Sequence, residues 1–172
     1  MRRLYLMRHG KAQAGMPPGG GDLDRALVGR GRKESQWMGA FCREQVRPPT
    51  LILCSPSRRT VETCDSFCDG FGESLPRRVA DSVYMGSPSA LLYAVAEAGG
   101  SEAGVLVIGH NPGIHALALA LGGRGHGPAY AQLSSRFPTA ALAVFESGID
   151  DWAALRFGSA RLVAFKIPRE MR

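Results

Sequence analysis

The chain has 172 residues, 45% hydrophobic and 21% charged, with a formal net charge of +6. A chain of this size buries a hydrophobic core without disulfide or metal staples, and its balance of apolar to charged residues excludes a disordered polymer. No apolar run approaches the roughly 18–20 residues that cross a bilayer and no secretory leader pattern opens the sequence, so one cytoplasmic domain over residues 1–172 is expected.

Apolar runs alternate with helix-like stretches, the pattern of an α/β domain. "RLYLM" (3–7) reads as a first strand that runs into Arg8, His9 and Gly10. "GRKESQWMGAFCREQV" (31–46) places Trp37, Met38, Phe41 and Cys42 at helical spacing, and "RPP" ends the helix. "LILCS" (51–55) is a second strand, followed by a helix from near Ser57 to about Phe71. "RRVADSV" (77–83) reads as a short edge strand. "SPSALLYAVAEAG" (87–99) starts with a Ser87 cap and a proline at the first helical position. "GVLVIG" (104–109) is a buried strand, and "GIHALALALG" (113–122) is a helix closed by glycines. "AALAVFES" (140–147) and "ARLVAFKI" (160–167) read as two late strands that pair antiparallel.

The glycine-rich "GMPPGGGDLD" (15–24) and "GGRGHG" (122–127) lack the context of a P-loop and read as surface loops. Cys42, Cys54, Cys64 and Cys68 form no CxxC pair and have no histidine at zinc-finger spacing, so reduced, mostly buried thiols are expected. His115 reads as filler on its helix, and His126 as a loop residue.

Ligands of open α/β sheets bind at the carboxyl ends of strands, and three such ends here carry matching chemistry. The first ends in Arg8-His9-Gly10, the second in "CSPSRRT" with Arg58 and Arg59, and the third in "GHNPG" with His110 and Asn111 before a helix N-terminus. Brought to one edge, two histidines and at least two arginines form a pocket for a phosphoryl group. Cations and oriented donors stabilise charge on phosphoryl oxygens, while a neutral imidazole attacks phosphorus in line. Nearby arginines disfavour the imidazolium and keep the attacking ring neutral.

"LYLMRHGKAQ", "CSPSRRTVET", "VLVIGHNPGI" and "FPTAALAVFE" together resemble the histidine phosphatase superfamily. The GHNPG stretch, the Pro-Thr-Ala-Ala-Leu run and the ending "ARLVAFKIPRE" are similar to its SixA-type phosphohistidine phosphatases. The resemblance implies an α/β three-layer sandwich, with a mixed, mostly parallel sheet flanked by helices. It implies His9 as the nucleophile that becomes phosphorylated, with Arg8 holding phosphoryl oxygens. The family's second arginine stands four residues after the serine of the Ser-Pro motif, which selects Arg59 over Arg58. His110 matches the second pocket histidine, a donor to the phosphoryl group, and Asn111 is a candidate phosphate contact. The family's usual glutamine is Glu62 here, which questions a local hydrogen bond. "DLDRALVGRGRKES" (22–35) resembles an Asp-x-x-Arg-x-Leu-Thr-x-x-Gly segment with Val28 in place of threonine, so a weakened turn or cap is expected there.

Mutases and larger acid phosphatases of the superfamily use a separate carboxyl group to protonate the leaving oxygen. Asp81, the only carboxylate between Glu73 and Glu97, is the candidate general acid, with an exposed loop aspartate as its plain alternative. General acid help is worth roughly a hundredfold to ten-thousandfold, so lacking it narrows the substrates. Phosphohistidine tolerates the lack, because its imidazole leaves more readily than an alkoxide.

The expected activity is therefore a cofactor-independent phosphatase of protein phosphohistidine, acting through a phosphorylated His9. A small-molecule phosphomonoesterase using Asp81 is the near alternative, and a non-catalytic phosphate-binding module the distant one. No metal is expected at His9 and His110, since the adjacent cations repel one and no carboxylate cluster accompanies them. The expected partner is a phosphohistidine-bearing protein; neither a membrane nor nucleic acid is expected, as no basic helix or aromatic-interleaved sheet is evident. The oligomeric state stays open.

Overall fold

The computed structural model describes residues 1–168. Six strands form one sheet: β1 (Arg2–Arg8), β2 (Leu51–Cys54), β3 (Arg77–Val79), β4 (Gly104–Gly109), β5 (Leu142–Ser147) and β6 (Arg161–Lys166), in the order β3-β2-β4-β1-β5-β6. β2 and β4 are buried at every position, as strands covered on both faces must be. β1 pairs parallel with β4, Leu6 opposite Val107, and antiparallel with β5, Leu6 opposite Ala143. β6 pairs antiparallel with β5, so β5 alone runs against the rest and the sheet is mixed and mostly parallel.

Side chains alternate across a strand, and β1 sorts its neighbours accordingly. Tyr5 and Met7 meet Met38, Cys42, Cys64 and Phe67 from α1 (Gly29–Gln45) and α2 (Arg58–Phe71). Leu4 and Leu6 belong to the opposite core with Leu91 and Val95 of α3 (Pro88–Gly99), Ile114 and Leu117 of α4 (Gly113–Gly122) and Leu133 of α5 (Pro128–Ser135). The result is the expected three-layer sandwich. All four cysteines are free and buried on the α1/α2 side. No helix among the described residues is long and apolar enough to cross a membrane.

Local chemistry explains the starts of two helices. The Ser57 hydroxyl accepts from the Thr60 amide at the start of α2, and the Ser87 hydroxyl accepts from the Ala90 amide at the start of α3, with Pro88 at its first position. Val28 caps α1 without any side-chain hydrogen bond, the weakness expected from its departure from threonine.

Two features differ from the sequence expectation. The edge segment is a strand only over residues 77–79, and Asp81–Val83 instead closes a 3-10 turn. α5 was not anticipated; Pro128 and the preceding Gly127 open it, and Leu133 anchors it in the core. The last two residues of "ARLVAFKIPRE", Arg169 and Glu170, lie outside the described residues.

Candidate active site

The order β2-β4-β1 sets three carboxyl ends side by side, with Arg8 across from Gly109 and Cys54 across from Ile108. Beyond β1 the His9 amide donates to the Gly109 carbonyl, and the Gly10 amide donates to the Thr63 hydroxyl on α2. A Cβ on Gly10 would lie 2.7 Å from the Gly31 carbonyl oxygen, so only glycine lets the Arg-His-Gly turn pack against α1.

His9 is 8% exposed, and its Nδ1 lies 2.7 Å from the Gly10 carbonyl oxygen. A carbonyl only accepts, so the proton sits on Nδ1 and the lone pair on Nε2. Burial pushes the His9 pKa down to about 4, and Arg59, Arg8 and Arg25 push the same way against the opposing Gly10 bond. Burial is thus a larger cause of the neutral ring than the arginines that the sequence brings to attention.

His110 is 4% exposed and stands 5.2 Å from His9, ring centroid to ring centroid. Its Nδ1 is 3.2 Å from Arg59 Nη2, a pure donor, so Nδ1 accepts and the Nε2 proton goes to Ser55 Oγ at 2.8 Å. Burial first, then His9 and Arg59, lower its pKa to about 3. Both ring nitrogens are therefore engaged by the protein, and donation to a phosphoryl oxygen requires His110 to exchange one of these bonds.

The two adjacent arginines at the start of α2 have opposite surroundings. Arg58 is exposed and pairs with Glu62 at 2.9 Å. Arg59 is 4% exposed, with Nη1 donating to the Asp22 carbonyl at 2.8 Å and Nη2 to the Asp22 carboxylate at 2.9 Å. Arg8 Nη1 donates to the Phe137 carbonyl at 3.2 Å. Among the described residues, Nε of Arg8 and Nε of Arg59 are buried donors without a partner. Arg8, His9, Asp22, Arg25, Arg59, Tyr84, Met85, His110 and Asn111 line a cavity of about 350 Å³.

Two further sequence candidates, Asn111 and Asp81, are placed differently. Asn111 lines the cavity, but its amide donates to the Phe137 carbonyl at 2.9 Å and its oxygen accepts from the His115 amide at 3.3 Å. Its side chain therefore ties α4 to the carbonyl that also holds Arg8, and one of its two amide protons is left for a ligand. The first-turn amides of Ile114 and Ala116 donate to the His110 and Pro112 carbonyls. Asp81 opens the 3-10 turn, is exposed, and is not part of the cavity lining; the turn delivers Tyr84 and Met85 there instead.

Asp22, Arg25, Tyr84 and Met85 escaped the sequence reading as site residues. The Asp-x-x-Arg segment was the visible signal for the first pair, but it resembled a structural turn. Glu62, which stands where the resemblance has glutamine, makes local bonds of its own: its carboxylate accepts from the Leu27 amide at 2.7 Å and pairs with Arg32. The constellation as a whole can hold a tetrahedral oxyanion between guanidinium groups beside a neutral imidazole.

The family profile described as histidine phosphatase superfamily (branch 1) matches residues 4–83. An uncharacterized protein of Mycobacterium leprae is 33% identical over 166 residues, 95% of this chain and 100% of that protein. A protein of Nakamurella multipartitia assigned as phosphohistidine phosphatase SixA superposes with a TM-score of 0.84 at 27% identity, over 97% of this chain and 96% of that one. An Agrobacterium tumefaciens protein with the same assignment gives a TM-score of 0.79 at 30% identity, over 97% of this chain and 98% of that one.

Proposed function

We propose that this chain, which belongs to the histidine phosphatase superfamily and to its SixA type, removes the phosphoryl group of protein phosphohistidine through a phosphohistidine formed on His9. The observation that carries this reading is that Arg8 and Arg59, each with a buried Nε donor that has no partner, line one cavity with the neutral His9 ring. A buried guanidinium donor left without an acceptor costs about 1–3 kcal/mol, and an oxyanion bound there removes that cost.

His9 Nε2 attacks phosphorus while Arg8 and Arg59 hold the phosphoryl oxygens; the bond to the leaving ring breaks, and water then displaces phosphate from His9. The Gly10 carbonyl holds the Nδ1 proton throughout and so keeps Nε2 as the attacking atom. Each preorganised donor of this kind contributes on the order of a hundredfold or more to the rate. The proposed steps draw on no metal or cofactor, since the guanidinium groups supply the positive charge.

The small-ester alternative asks for a proton donor at the leaving oxygen, and Asp81 lies outside the cavity lining. A phosphohistidine leaving group asks for less, which favours the protein substrate. Nucleic acid and membranes are not proposed as partners. The test is a neutral quench of enzyme mixed with a phosphohistidine protein, followed by mass spectrometry. Label on His9 is the expected result, and turnover of sugar or aryl phosphates without any of the phosphohistidine protein would overturn the reading.

A further inference from the structure

The cationic cavity contains one carboxylate, and its placement is specific. Asp22 Oδ2 accepts from Arg59 Nη2 at 2.9 Å and from the Tyr84 hydroxyl, and Oδ1 accepts from Arg25 Nη1 at 3.0 Å. A carboxylate offers about four acceptor positions, so these three donors leave one for a ligand. The side chain is 33% exposed on the cavity lining, within reach of whatever enters. The Tyr84 hydroxyl first, then Arg25 and Arg59, hold its pKa well below the usual carboxylate range. Asp22 therefore stays ionised and has no proton to give as a general acid. A fixed negative charge beside an oxyanion site weakens the binding of phosphate itself, so its place there calls for a compensating use.

We propose that Asp22 is a specificity-determining residue whose carboxylate stabilises the protonated imidazole of the phosphohistidine substrate, so that the leaving group brings its own proton. The inference rests on the phosphohistidine reading above. In such a substrate one ring nitrogen bonds phosphorus and the other carries a proton, which makes the ring cationic. His9 Nε2 forms its bond to phosphorus as the bond to the leaving nitrogen breaks, and the electron pair of the broken bond stays on that nitrogen. The ring departs as neutral imidazole with its proton already on the other nitrogen. His9, with its proton on Nδ1, becomes the cationic phosphorylated ring, so charge and protons balance without an acid. An ester has no such cation to offer Asp22, and a departing alkoxide or phenolate meets repulsion there. The charged and titratable groups that face Asp22 across the cavity are Arg25, Arg59, Tyr84, Arg8, His9 and His110.

The experiment compares kcat/KM for N-phosphoimidazole and for an aryl phosphate in wild type, Asp22→Asn and Tyr84→Phe. Asp22→Asn is expected to slow both substrates, because Arg59 loses an anchor, but to slow phosphoimidazole at least about tenfold more. Tyr84→Phe removes one bond to the same carboxylate while leaving its charge, and is expected to hold the substrate ratio within about threefold. Equal losses on both substrates in Asp22→Asn, or an equally large ratio change in Tyr84→Phe, would overturn the inference while leaving the phosphohistidine reading intact. A wild-type protein that turns over the aryl phosphate but neither phosphoimidazole nor a phosphohistidine protein would remove that reading, and this inference with it.

Discussion

The two sides of the cavity are built by different means. On one side, Arg8 ends β1 and His9 follows it, held by bonds to the carbonyls of Phe137, Gly109 and Gly10, while His110 follows β4 and is fixed by the Ser55 hydroxyl and Arg59. On the other, Asp22 and Arg25 belong to the loop between the Arg-His-Gly turn and α1, and side-chain bonds to Arg59, Tyr84 and one another hold them. Strand ends thus carry the reacting groups. The loop supplies charge that tunes them, Arg25 at His9 and Asp22 at His110.

That contrast makes a graded prediction. His9→Ala is expected to lower turnover by at least about a thousandfold with the fold kept, because the strand end itself persists. Single-turnover assays with circular dichroism on the same sample check it, and retention of activity would break the division between reacting and tuning sides. Arg59→Ala follows, with an expected loss of about a hundredfold to a thousandfold in kcat, since it removes a donor to the phosphoryl group and the anchor of Asp22. Its neighbour Arg58, an exposed partner of Glu62, is the internal control: Arg58→Ala should change turnover by no more than about twofold.

The same contrast explains what the sequence disclosed. β1, β2 and β4 are short apolar runs, and their parallel pairing lines up the residues that follow them, so His9 and His110 were legible from strand ends, whereas Arg59 was told from Arg58 only by the family resemblance. Asp22 was not, because it reaches the cavity through a pair with Arg59, 37 residues away, and no local pattern encodes that contact. Asp81 misled for the converse reason. It sits at the right place along the chain, but the 3-10 turn that it opens hands the cavity to Tyr84 and Met85. α5 was hidden because "PAYAQLSS" is short and only Leu133 in it is buried.

A pH series sharpens the comparison at the strand ends. In the unfolded chain both imidazoles take up protons near their ordinary value of about 6.5. In the folded protein burial holds His9 neutral down to about 4 and His110 to about 3. The unfolded state therefore binds more protons over this interval, and stability falls as pH drops from 6.5 toward 4. Denaturant midpoints measured from pH 7.5 to 4.5 should decline accordingly, and His9→Asn should flatten part of the decline. A wild-type profile that stays level below pH 6.5 would mean that the folded protein takes up protons at these rings as readily as the unfolded chain, against the neutral, buried His9 described above.

The smallest expected effect lies at the far end of the tuning loop. Val28 occupies the N-cap of α1 with an extended backbone, φ −84° and ψ 166°, the conformation in which a threonine hydroxyl accepts from the first-turn amides. Val28→Thr exchanges one methyl group for that hydroxyl at nearly constant volume, and the free amides give the new oxygen its partner. The expected gain is about 1 kcal/mol, or a rise in Tm of roughly 2–4 °C for a domain of this length, read by thermal unfolding. Turnover should hold within about twofold, since Val28 lies outside the cavity lining and the strand ends are untouched. An unchanged Tm would locate the restraint on this end of α1 elsewhere, in the close approach of Gly31 to Lys11, where an added Cβ would stand 2.2 Å from the Lys11 carbonyl oxygen. The loop would then be held by backbone packing at its helix end and by Asp22 at its cavity end, and Gly31→Ala, not Val28→Thr, would be the substitution that loosens it.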